Sequence, residues 1–364
     1  MASFEYTESV DNVVNIKVIG CGGGGCNAVN RMIRAGVQGV EFVVVNTDKP
    51  VLDASAATTK LQIGEKLTKG KGAGSDPQVG ENSALENREE IEATLRGADM
   101  VFIAAGMGGG TGTGSAPIVA EIAKDMGILT VAIVTKPFGF EGRMKMRTAE
   151  AGIEKLRKQV DSLIIIPNEK LKDVSEERIT LLNAFQVADD VLRQGVQSIS
   201  DLILIPGLVN VDFADVHKIM KDAGNAHMGV GRACGENKAV NAAKMAISSP
   251  LLETSIEGAT GVIFNITASP DIGMDEVDEA SRMVEQAAHP DANIIWGVAL
   301  NNDLEDEIIV TVIATGFPSN KQSATDVIAE EPKLGFPPVA GDQGKAEEAD
   351  DDLNFLDLFA NLGE

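Results

Sequence analysis

The sequence predicts an α/β fold, in which a parallel-sheet domain covered by helices is joined by a long central helix to a smaller α+β domain. Three observations predict it. From residue 13 onward, apolar runs of strand length alternate with segments of helix length, the order that builds a parallel sheet with helices on its faces. The strand runs are almost continuously apolar, as strands buried on both faces must be. Two of them open into glycine-rich loops that lead into helical patterns, "GCGGGGCN" at 20–27 and "GMGGGTGTG" at 106–114.

Taken in order, "VVNIKVIG" (13–20) is the first strand, and the helix after its glycine loop closes at Gly36, a residue suited to a C-cap. Further strands follow at 41–48, 99–106, 128–137 and 162–168, with helices at about 80–97, 113–127 and 142–160 between them. Residues 176–203 carry one helical pattern, and a helix of about 26 residues at ~1.5 Å per residue would span roughly 39 Å, more than a small domain needs. It is read as a link between two domains. A short helix at 211–224 opens the second domain, whose last two strands, "NIIWGVAL" and "EIIVTVIAT", are separated by a short acidic turn and read as a hairpin. The resulting division is an N-terminal tail at 1–12, a first domain with the central helix at 13–203, a second domain at 204–318, a disordered acidic linker at 319–350 and a terminal peptide at 351–364.

A chain of 364 residues with 44% hydrophobic content can build two cores. The formal net charge of −24 argues against nucleic-acid binding, which draws its affinity from neutralising phosphates with Lys and Arg. The polar, acidic N-terminus lacks a signal-peptide pattern and no apolar run reaches ~18 residues, so a cytoplasmic protein without direct membrane insertion is expected. Cys21, Cys26 and Cys234 suit a reducing compartment, and with His217, His227 and His289 far from them they are read as small buried residues rather than metal ligands.

The two glycine loops carry the chemistry. Glycine is costly to order, so a run of six within nine positions marks backbone held close to something else. Phosphate is the obvious ligand, yet no lysine follows and the P-loop pattern is absent. The first loop alone matches G-x-G-x-x-G at Gly20, Gly22 and Gly25, a dinucleotide fingerprint with Asp48 as candidate ribose ligand. An NAD oxidoreductase of that kind needs a catalytic His, Tyr or Lys in the second domain, and the sole tyrosine is Tyr6. A second glycine loop ahead of a second helix suits a polyphosphate better, because two helix N-termini offer N–H groups and positive dipole ends without any lysine. Thr111 and Thr113 are candidate hydroxyl donors.

Together with "KPFGFEG" (136–142) and "NVDFADV" (210–216), these loops make residues 13–318 resemble the FtsZ family of tubulin-like cell-division GTPases. The resemblance implies a tubulin-like fold and GTP as substrate with Mg²⁺. It assigns the nucleotide to Gly23, Gly24, Gly25, Cys26 and Asn27 of the first loop and to Gly106, Gly108, Gly109, Gly110, Thr111 and Gly112 of the second. Glu141 takes the ribose side. Lys145 stands where the family has arginine, which keeps the charge and loses the bidentate fork, with Arg143 and Arg147 as nearby alternatives. Asn168, Phe185 and Asp189 fall on the base, the last two one helical turn apart, so that a ring can stack on guanine while a carboxylate accepts from its N1 and N2.

By spacing alone, Asp212 is a helix N-cap and Asp215 a first-turn acid. The resemblance instead makes Asn210, Asp212 and Asp215 the catalytic set, offered to the nucleotide site of the next subunit in a head-to-tail filament that forms the cytokinetic ring at the bacterial division site. A scaffold that binds GTP without hydrolysing it would lack the two acids. The tail peptide "DDLNFLDLFANLGE" places Leu353, Leu356 and Phe359 on one face, and the resemblance implies membrane-adaptor and regulatory division proteins as its partners.

Overall fold

A computed structural model describes residues 14–174, 180, 183–204, 211–249, 251, 256, 258–301, 304 and 306–317. Linker 319–350, peptide 351–364 and Asn210 therefore lie outside the described residues. The described residues form a mixed α/β fold around one sheet of ten strands.

The chain opens with β1 (Ile16–Cys21), α1 (Gly22–Arg34), β2 (Val40–Asn46), α2 (Lys49–Asp53), β3 (Thr59–Gln62) and α3 (Glu65–Thr68). It continues through α4 (Pro77–Glu86), α5 (Arg88–Leu95), β4 (Met100–Gly106), α6 (Thr111–Asp125), β5 (Leu129–Lys136), α7 (Arg143–Arg157) and β6 (Ser162–Pro167). These six strands are parallel in the order β3-β2-β1-β4-β5-β6. Successive side chains serve opposite faces: Val18, Phe102 and Val131 enter one core while Ile19, Ile103 and Ala132 enter the other. This two-sided burial is why the strand runs read as continuously apolar. Strand β3 is the exception; its "TKLQ" is only partly buried and has no apolar run to announce it.

Helix α8 (Leu171–Val174) precedes the central helix α9 (Ala184–Leu204), and α10 (Phe213–Met220) leads into β7 (Gly224–Cys234). The rest comprises α11 (Lys238–Ile247), β8 (Gly261–Ala268), α12 (Met274–Ala287), β9 (Asn293–Leu300) and β10 (Glu307–Thr315). Strand β7 is the seam between the halves. Its first residues, Gly224 to Ala226, pair parallel with β6, and the remainder pairs antiparallel with β10. The apolar stripe of α9, including Leu192, Val196 and Ile199, shares one continuous core with Val131 and Ile133 on one side and Met228 and Ile313 on the other.

Three expectations need correction. The pattern at 80–97 is two helices, broken at Asn87, whose Oδ1 accepts the Gly64 N–H at 2.8 Å. The central helix is described from Ala184, not continuously from further upstream, because Thr180 and Asn183 exchange side-chain-to-backbone hydrogen bonds in a capping box that fixes its start; residues 176–179 of the expected helix lie outside the described residues. Strands β9 and β10 are not a hairpin, since β10 inserts between β7 and β8 while β9 lies at the edge, parallel to β8. Burial decides this, because β10 is buried along almost its whole length and needs a partner on each side, whereas β9 leaves Trp296 and Leu300 exposed.

Candidate functional site: a cleft at the carboxyl ends of the parallel strands

Helix α1 starts directly after β1, and α6 starts four residues after β4, so both N-termini open at the carboxyl edge of the sheet. Their loops touch backbone to backbone. A Cβ on Gly22, which has φ of +70°, would lie 2.5 Å from the Gly112 nitrogen, and one on Gly24 would lie 3.1 Å from Gly106 Cα. Gly112 itself sits against the Cys21 carbonyl, where a Cβ would stand at 2.9 Å. Gly110 is pressed by Asp76 and Ala73, and Gly114 by Pro77 and Glu81 at the start of α4. Most glycines of the run are thus demanded by neighbouring backbone. Gly23 and Gly109 are different, for each faces open space.

That space is a cleft of about 420 Å³ lined by Gly23, Gly24, Asn27, Gly106, Gly109, Gly110, Thr111, Gly112, Glu141, Lys145, Asn168, Phe185 and Asp189. Thirteen of the sixteen residues expected around the nucleotide therefore share one wall system. The other three stand behind it: Gly25 is packed on the Ala104 carbonyl, Cys26 is fully buried in the core, and Gly108 lies under Lys145. The cleft also takes Met107, Thr135, Pro137, Ala188 and Leu192, which sequence reasoning missed. A signal for four of them existed. Thr135 and Pro137 close β5 at the sheet edge where ligands of parallel sheets bind, and Ala188 and Leu192 follow Phe185 at helical spacing.

The floor is rich in donors. The first N–H groups of a helix have no intrahelical partner, and two helices present them here beside their positive dipole ends. Hydroxyls are less available than the sequence suggested. Thr113 accepts the Gly108 N–H at 2.8 Å and is buried, while the Thr111 hydroxyl pairs with that of Thr47 at 2.7 Å.

At the mouth, Phe185 is 47% exposed and meets Phe138 and Phe140 edge to face, with centroids 5.7 and 6.2 Å apart. It is no core residue; its free face is available to a flat ring. Asn168 is 4% exposed, and its Oδ1 has no hydrogen-bond partner, an orphan that a ligand donor would satisfy. Glu141 accepts the Phe138 N–H at 2.8 Å and Lys145 Nζ at 2.5 Å, so the lysine is held by the acid four residues before it. Arg143 and Arg147 are exposed and are not among the residues lining the cleft. Burial drives the Asp189 carboxyl up to about 7, with Arg31 pulling it down and Asp190 pushing it further up.

Two alternatives lose their basis. Asp48 caps α2, its Oδ1 accepting the Val51 N–H at 3.3 Å, so it is spent on structure and not on a ribose. Burial pushes the Cys21 thiol up to about 12 and that of Cys26 to about 11, which keeps both protonated as small buried residues rather than reactive thiolates.

Asp212 and Asp215 are not in the cleft. Asp212 precedes α10 with extended backbone and makes no side-chain capping bond, and both carboxylates are exposed. Helix α10 ends against the opposite edge of the sheet, where the Ser162 hydroxyl at the start of β6 donates to the Met220 carbonyl. The 21 residues of α9, about 30 Å of helix, run between the two regions.

This geometry agrees with the comparisons. Residues 15–176 match the GTPase domain of the tubulin/FtsZ family, and residues 224–318 match the C-terminal domain of the FtsZ family. An FtsZ dimer from M. jannaschii, described as empty, is 44% identical with a TM-score of 0.80, covering 83% of this chain and 88% of that one. A point mutant of FtsZ from the same organism gives 44% identity and a TM-score of 0.81 over 84% of this chain and 91% of its own. CetZ2 from Haloferax volcanii, in a GTPγS-bound protofilament, is 20% identical with a TM-score of 0.71 over 85% and 95%, a likeness of fold alone. The chain belongs to the tubulin/FtsZ family of GTPases. Within that family its C-terminal domain, residues 224–318, is of the FtsZ type.

Proposed function

We propose that this chain is a polymerising GTPase that binds GTP in the cleft and hydrolyses it where a second copy of itself supplies the acids. The single observation that carries this reading is the separation of parts. The cleft offers phosphate donors, a stacking ring and a carboxylate for the base, while the exposed carboxylates of Asp212 and Asp215 stand at the far end of α9. One molecule cannot bring them together, but a head-to-tail neighbour can, and such a contact repeats into an open filament.

Within the cleft, the N–H groups of Gly23, Gly24, Gly109 and Gly110 cradle the phosphates, Glu141 and Lys145 bound the ribose, and Phe185, Asn168, Asn27 and Asp189 hold guanine. Asp189 accepts from N1 and N2, a donor pair that adenine lacks. Mg²⁺, carried with the phosphates, would neutralise part of their charge. The neighbour's Asp212 and Asp215, with Asn210, orient the attacking water, which joins the γ-phosphorus as GDP leaves.

The family membership supports division-ring assembly in the cytoplasm, with residues 351–364 docking to membrane-adaptor or regulatory division proteins. No helix among the described residues is long and apolar enough to cross a membrane. The test mixes two inactive variants. Gly109→Val fills the cleft from a position with no neighbouring atom to clash with, and Asp212→Ala removes the acid. Phosphate release from GTP recovered in the mixture requires a shared site; no recovery, with both variants still co-pelleting, would refute it.

A further inference from the structure

The sheet has a second concave surface, at the amino ends of its strands and so at the edge opposite the nucleotide cleft. This groove of about 670 Å³, larger than the cleft, is lined by Asn15, Lys17, Glu41, Phe42, Thr59 and Arg96 among others. It exists because β3 is short. Strand β2 pairs with β1 from Val40 to Val45, but β3 meets it only from Val43 onward. Among the described residues, the outer edge of β2 at Val40–Phe42 therefore has no ladder partner, which leaves backbone groups open to an added strand. The two faces of that edge differ. On one, Val14, Ile33, Val40 and Phe42 are only half-buried against the core they border. On the other, Lys17 Nζ is held by Glu41 at 3.0 Å and by the Thr94 carbonyl at 2.8 Å, while the exposed Arg96 comes no closer than 3.9 Å to Glu92. Residues 1–13 lie outside the described residues and join the fold beside this groove, at Val14 and Asn15. They carry Glu5, Glu8 and Asp11 and no Lys or Arg, and over "SFEYT" (3–7) polar and aromatic residues alternate.

We propose that this groove is the docking site of the chain's own residues 3–7, which add to the free edge of β2 as an antiparallel strand. The period of two matches the two faces: Phe4 and Tyr6 turn to the half-buried Val40 and Phe42, and Glu5 turns to Arg96. The direction follows from the connection. Traced back from β1, the chain passes the amino end of β2 before it can turn along the outer edge, so it runs against β2. That crossing covers two strand spacings, about 10 Å, and residues 8–13 reach about 20 Å when extended. The tether also keeps the segment beside the groove at an effective concentration on the order of mM, which lets a short strand dock that would not bind as a free peptide.

The experiment follows hydrogen exchange in the full chain without nucleotide, at the Val40–Phe42 amides that point away from β1. It compares the parent, the double variant Phe4→Ser with Tyr6→Ser, and Arg96→Glu with and without Glu5→Arg. With the docked state populated about ten to one, these amides should exchange about tenfold more slowly in the parent than in the double variant, while β4 and β5 exchange alike in both. Arg96→Glu sets like charges face to face and should remove about two- to threefold of the protection, and Glu5→Arg in the same chain should restore it. Equal exchange in the parent and the double variant overturns the proposal. So does protection that grows with protein concentration, because the occupant would then be the same segment of a second copy. A loss in Arg96→Glu that Glu5→Arg fails to restore overturns the orientation given to the strand.

Discussion

The two ends of α9 solve opposite electrostatic problems. At its N-terminal end the protein gathers N–H dipoles, an orphaned carboxamide and the carboxylates of Glu141 and Asp190 paired with Lys145 and Arg31, so that a polyanion can enter a molecule whose net charge is −24. At the other end it leaves Asp212 and Asp215 exposed, with no capping bond to occupy the first. On the proposed reading, the cleft and these exposed acids are two halves of one arrangement. Backbone dipoles suit the binding half because they are fixed by the fold and need no titratable group. On the proposed reading, carboxylates suit the other because they act only when a neighbour arrives.

The sharpest way to break this contrast is Asp212→Ala. GTP turnover should fall by on the order of 10²- to 10⁴-fold, while GDP affinity measured by calorimetry stays within about twofold. Equal losses in both would mean the acid belongs to the binding half. Next in size, the glycines separate into two classes. Gly22→Ala puts a Cβ 2.5 Å from Gly112 N at a positive φ and should cost ~3 kcal/mol, seen as a lower Tm, whereas Gly109→Ala, facing open space, should leave Tm unchanged.

A third test concerns Asp201, in the last turns of α9, whose carboxyl burial drives up to about 6 against the pull of Gln197 and Arg193. Its folded pKa lies above the unfolded value, so the native state binds the proton more tightly. Ionisation therefore erodes stability as pH rises from about 4, and the loss is complete above about 6. Asp201→Asn should stabilise by on the order of 2 kcal/mol at pH 8 and by little at pH 4, read from urea midpoints. The smallest effect is expected for Lys145→Arg. Glu141 already holds the lysine at 2.5 Å, so the fork gains a second bond to the same acid and GDP affinity should shift by less than about threefold.

Much of the molecule was legible in the chain. The strands of the first half could be read because both their faces are buried, and the nucleotide loops because each glycine run interrupts a strand-to-helix transition. What failed shares one cause. The break at Asn87, the start of α9 at the Thr180–Asn183 box and the insertion of β10 between β7 and β8 are decided by partners distant in sequence or by side-chain bonds that hydrophobic patterning does not register.

By itself, the sequence determined the fold class and marked the two glycine loops as backbone held close to something else, since these follow from periodicity and backbone freedom, while its assignment of residues to guanine came from the family resemblance. Only the tertiary structure decided which glycines serve packing and which face the cleft, because that depends on the approach of Cys21 to Gly112 and of Asp76 to Gly110. It alone placed Asp212 beyond the reach of the cleft it is proposed to serve. A helix has a rise per residue that any reader can multiply, but which sheet edge each of its ends meets is settled by how the strands pair.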